Sequence, residues 1–98
     1  MKTDSLIKPP GSKILKAGRV VLHPGEEIGE HTTDKREEII IVVKGTAVLV
    51  KEGKEIILKN GDTHYIEEGI LHNVKNTSKK KTEYVYVVCP MIKINKYT

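Results

Sequence analysis

Turn-forming residues cut this sequence into short apolar runs, and that punctuation limits the possible folds more than any other feature. His23-Pro24-Gly25, Glu52-Gly53-Lys54, Lys59-Asn60-Gly61-Asp62 and Glu67-Glu68-Gly69 all read as turns. Asn60-Gly61 is the strongest of these signals. The runs between them are too short for helices and rich in Val and Ile, which suit a pleated, half-buried surface. Roughly eight to ten short strands follow. They are expected over residues 13–22 (open to a break at Gly18), 28–32, 37–44, 46–51, 55–58, 63–66, 70–74 and 83–89, with an edge strand over 91–97. The run Ile39 to Val43 is apolar on both faces, so its strand is expected to be central. Many short strands joined by turns predict an all-β barrel or a double-sheet jelly roll.

The 98 residues suffice for one domain. Residues 13–98 read as that domain. Residues 1–12, polar and interrupted by Pro9-Pro10-Gly11, read as an arm able to pair with an exposed strand edge, its own or a neighbour's. Neither Phe nor Trp is present, so Ile, Val and Leu must form the core. The net charge is +4, but the lysines alternate with glutamates and form no basic stripe, which argues against nucleic acid as a partner. Leu6-Ile7 is too short for the apolar region of a signal peptide, and no apolar run reaches the length of a membrane span. Cys89 is the one cysteine, which fits a reducing, cytoplasmic setting.

Two groups of polar residues and glycines have specific spacing. The first runs Gly25, five residues, His31, one residue, Thr33, four residues, Glu38, six residues, Gly45. The second runs Gly61, five residues, Glu67, one residue, Gly69, two residues, His72, three residues, Asn76. These resemble the two motifs of the cupin superfamily. Thr33 stands where that pattern usually has a second histidine, and Glu67 where it usually has proline. The resemblance implies a small double-stranded β-helix of jelly-roll topology, often dimeric, with an interior pocket. It also implies a divalent metal, commonly iron, manganese, nickel, copper or zinc.

Residues two apart on a strand share a face, so His31 and Thr33 should point the same way, and Glu38 can meet them from the adjoining strand. The resemblance brings His72 to the same place. Two imidazoles and a carboxylate, with water in the open positions, form a set that non-haem iron and several other divalent metals accept. Thr33 is expected to touch a metal-bound water. His64 is open to two roles, a replacement for the missing ligand or a pocket-lining group. Tyr84 and Tyr86 are expected in the core or pocket wall, Cys89 as a small core hydrophobe, Glu37 in solvent, and Asn76 as a turn-holding side chain.

The fold supports many chemistries and does not choose a reaction. The leading expectation is a metal-dependent protein of dioxygenase or isomerase type acting on a small organic molecule, working as a homodimer. A non-catalytic binder of small molecules without metal is the alternative, favoured by Thr33. A structural module with a relic pocket is the third.

Overall fold

Between the turns, the β-branched runs pair as strands in the computed structural model, which describes residues 1–91. The strands are β1 (Lys2–Ile7), β2 (Lys16–Leu22), β3 (Arg36–Lys44), β4 (Ala47–Lys51), β5 (Lys54–Leu58), β6 (Thr63–Ile66), β7 (His72–Lys75) and β8 (Thr82–Pro90). One sheet has the order β1-β2-β8-β3-β6 and the other β5-β4-β7, with every pairing antiparallel. This is the all-β double-stranded β-helix expected from the sequence. Among the described residues, no helix is long and apolar enough to cross a membrane.

The two sheets close over one aliphatic core. The larger sheet contributes Val20, Leu22, Ile40, Val42, Ile66 and Tyr84; the smaller contributes Ala47, Leu49, Leu58 and Val74. Each Leu or Ile buried this way stabilises the fold by about 1.5–3 kcal/mol. Strand register stacks the inner face in layers. Lys16, Val88, Glu38 and Ile66 form one layer close to the rim, Gly18, Tyr86, Ile40 and His64 the next below it, and Val20, Tyr84 and Val42 the third. Polar groups therefore gather at one end of the barrel, above an apolar floor.

The structure departs from the sequence reading in several places. β2 runs unbroken through Gly18, because that glycine makes room: an added Cβ would overlap the Tyr86 ring from β8. Gly45, by contrast, is needed for its backbone. It has φ +86, and a Cβ there would lie 2.7 Å from the Lys81 carbonyl. Residues 28–32 form no strand; the segment is held by two isolated bridges, Glu27 to Lys75 and His31 to His72. β8 extends through Pro90, at the strand end where the missing N–H does least damage. The expected edge strand over 91–97 falls almost wholly outside the described residues.

Residues 2–7 of the arm pair with the chain's own β2 as an edge strand with every residue exposed. β3 lies between β8 and β6, as its apolar run suggests, but only one of its faces is covered. Ile40 and Val42 are buried, while Ile39 and Val43 on the opposite face remain 37% and 48% exposed.

Candidate metal centre

Glu38 projects from β3 into the barrel and is 6% exposed. Its position follows from strand parity, since it shares a face with the core residues Ile40 and Val42. His72 opens β7 and is 2% exposed. His31 joins it from the loop before β3. The His31 N–H donates to the His72 carbonyl and the His72 N–H to the His31 carbonyl, both at 2.9 Å. This reciprocal bridge sets the two imidazoles 4.4 Å apart, centroid to centroid, at 56°.

Both rings are fixed in the same way. His31 Nδ1 lies 2.8 Å from the Gly29 carbonyl and His72 Nδ1 2.8 Å from the Ile70 carbonyl. A carbonyl can only accept, so in the neutral rings each Nδ1 carries the proton and each Nε2 keeps its lone pair. The ligating atoms of His31, Glu38 and His72 all lie within 4.8 Å of one another.

Polar atoms buried in this cluster lack the partners that buried polar groups ordinarily have. Glu38 Oε1 and His72 Nε2 approach to 3.2 Å, yet among the described residues neither makes a hydrogen bond of acceptable geometry. A divalent cation between them and His31 would satisfy both orphans, so the donor set fits one. In the metal-free protein, burial disfavours the charged imidazolium. The Glu38 carboxylate and the Ile70 carbonyl outweigh that penalty and hold His72 above the usual histidine range.

Other residues singled out in the sequence take varied places. Thr33 is buried and lines the pocket, but its hydroxyl donates to the Arg36 carbonyl at 2.8 Å. It serves the turn into β3. His64 lies opposite Ile40, one layer below Glu38, and is not among the atoms that converge. Its Nε2 is buried with no partner among the described residues, and burial and then the Lys51 charge hold it below the usual histidine range. Tyr84 and Tyr86 both line the pocket, and burial pushes the Tyr84 phenol up. Glu37 faces outward and accepts a hydrogen bond from the Tyr65 hydroxyl at 2.7 Å. Cys89 pairs with Glu37 across β3 and β8 and is only half-buried, because its parity puts it on the outer face, away from the core. Asn76 donates to the Leu22 and Lys80 carbonyls and accepts from Ser78, as a turn-holding side chain should.

Among the pocket residues that the sequence reading did not single out are two cations, Lys16 and Arg36. Parity was the available signal. Arg36 precedes Glu38 by two residues and Lys16 precedes Gly18 by two, so each shares the inward face of its strand. The cavity they line, with His31, Glu38, His72, Val20, Ile28, Val74 and Val88, has a volume of about 360 Å³.

A family model described as a cupin domain matches residues 18–88. The chain belongs to the cupin family. Among solved structures it is similar to a cupin 2 conserved barrel domain protein from Salinispora arenicola. The two share 27% identity over 90% of this chain and 74% of that one, with a TM-score of 0.80. It is also similar to a Thermotoga maritima protein described as a predicted oxalate decarboxylase, at 28% identity over 78% of this chain, with a TM-score of 0.74. This chain spans 66% of that protein, just under two thirds of its length. The cupin domain of an XRE family transcriptional regulator from Enterobacter cloacae shares the fold at 15% identity, with 93% of this chain and 97% of that one covered and a TM-score of 0.84. No curated protein matches the sequence.

Proposed function

We propose that this cupin domain holds one divalent metal through His31, Glu38 and His72 and binds a small organic molecule beside it. The observation carrying this reading is the convergence of two tautomer-fixed imidazoles and a buried, unpartnered carboxylate within 4.8 Å. Three protein ligands leave coordination positions open, which is how catalytic sites differ from structural ones. A bound metal would supply Lewis acidity there, polarising an oxygenated ligand or activating water. Glu38 and the two Nε2 atoms would hold it, the apolar floor would exclude water, and the tyrosines would form one wall. A dioxygenase or isomerase type of reaction fits such a site. The similarity to a predicted oxalate decarboxylase adds decarboxylation of a small acid to the candidates.

Metal content of protein purified without chelator tests the proposal. The expected result is about one equivalent of iron, manganese, nickel, copper or zinc, lost in His72→Ala. A protein that takes up none of these metals points instead to the second reading, a non-catalytic binder of small molecules. Thr33 favours that reading, because its hydroxyl is engaged by the Arg36 carbonyl and, among the described residues, no fourth side chain completes the set.

We also propose a homodimer in the cytoplasm. The exposed Ile39, Val43 and Tyr65 on the outer face of the larger sheet, with Leu6 and Ile7 on its edge strand, support self-association. The lone Cys89 supports the compartment.

A further inference from the structure

The pocket holds more positive charge than its carboxylate offsets. Among the described residues that line it, Glu38 is the one acid, whereas Lys16 and Arg36 both face in. Lys16 lies opposite Val88, and Val88 opposite Glu38, so Lys16 stands in the rim layer with the carboxylate. Arg36 is one step nearer the rim on the same face of β3. Among the described residues neither cation forms an ion pair with a carboxylate. Arg36 Nε donates to the Thr33 carbonyl at 3.1 Å. That bond steadies the guanidinium, and among the described residues its terminal nitrogens have no side-chain partner. A held divalent cation would add still more positive charge.

We propose that the ligand of this pocket is a small organic acid and that Arg36 is the residue that takes its carboxylate. The inference rests on the pocket being the ligand site and names the class of molecule that fills it. A planar guanidinium fork matches a carboxylate edge-on, which a point charge cannot do. A neutral sugar or alcohol would leave the half-buried cation facing no counter-charge. Val20, Ile28, Val74 and Val88 supply an apolar wall, so the acid carries a short hydrocarbon or aromatic body. The volume of about 360 Å³ sits at the small end of ligand pockets. Lys16, exposed at the mouth, draws anions in through its field.

Isothermal titration of zinc-loaded and metal-free protein with benzoate and pyruvate, each against its neutral amide, tests the proposal. The acids are expected to bind about tenfold or more tightly than the amides. Arg36→Gln should remove that preference while zinc stoichiometry and circular dichroism stay as in the wild type. Arg36→Lys should restore part of it, a graded response that a merely structural arginine would not give. If Arg36→Gln loses its fold, the comparison of Arg36→Lys with wild type carries the test. Lys16→Gln should lower affinity less and flatten its salt dependence. Equal binding of acids and amides, or an undiminished acid affinity in Arg36→Gln, overturns the proposal. Zinc uptake without acid binding overturns it too and leaves the metal proposal standing. Arg36-dependent acid binding by protein that takes up no metal supports it and overturns the metal proposal.

Discussion

His31 and His72, far apart in sequence, exchange both backbone hydrogen bonds across one antiparallel bridge. Residues paired in this way put their side chains on the same face of the ladder. The imidazoles are thus delivered together by main-chain bonding, and each ring is then turned by a carbonyl two residues before it. Replacing either imidazole should remove a ligand while leaving the bridge intact. His72→Ala and His31→Ala are therefore expected to abolish metal uptake yet fold, checked by metal analysis alongside circular dichroism.

The raised protonation range of His72 gives the metal-free protein a distinct pH response. Its imidazolium is favoured in the fold over the unfolded chain, where the value is near 6.5. The resulting stability is fully present below that value and is lost as pH rises through the higher folded value. Metal uptake should run the opposite way, weakening as pH falls through the folded value, because the proton and the cation compete for Nε2. Urea unfolding of chelated protein and zinc titration, each across the neutral range, check both directions. In His72→Gln the dependence on this window should disappear.

Gly18 and Tyr86 provide a packing test. The Tyr86 ring occupies the space a Gly18 side chain would need. Gly18→Ala is expected to cost about 1–3 kcal/mol by overpacking and to displace the tyrosine from the pocket wall. Equilibrium unfolding measures the first effect. In the double variant with Tyr86→Leu, the alanine penalty should shrink, because the ring that clashes is gone.

Asn76 ties the β7–β8 loop to the end of β2 through bonds from its buried amide to the Leu22 and Lys80 carbonyls. Asn76→Ala should cost about 1–3 kcal/mol, since it leaves the buried Leu22 carbonyl without this donor. The closed end of the barrel should then open first, which amide hydrogen exchange at Leu22 and Thr82 would reveal.

Deleting residues 1–12 removes β1 and bares the edge of β2. If the arm and the exposed aliphatic face join two copies, the truncated protein should shift towards the monomer in light scattering. An unchanged mass would remove the arm from the interface.

Much of this architecture is legible in the sequence where local chemistry dominates. The runs before and after Asn60-Gly61 and Glu52-Gly53 become strands because tight turns fix where pairing begins. The candidate trio of His31, Glu38 and His72 is legible because its spacing resembles a family pattern. His31 itself looks like part of a strand and is not: the polar segment around it buries too little to form a ladder and is held by isolated bridges. The pocket cations are hidden for a different reason. Lys16 and Arg36 resemble ordinary surface charges until parity is followed along β2 and β3. Cys89 misleads because residue type suggests burial where strand alternation puts it outside.

Anomalous diffraction from a crystal of protein prepared without chelator tests the central claim most directly. A single strong peak bonded to His31 Nε2, His72 Nε2 and a Glu38 carboxylate oxygen, at about 2.0–2.2 Å for a zinc-like ion, is the predicted result. A featureless pocket after soaking in iron, manganese, nickel, copper and zinc, or a peak held by other residues, would contradict it.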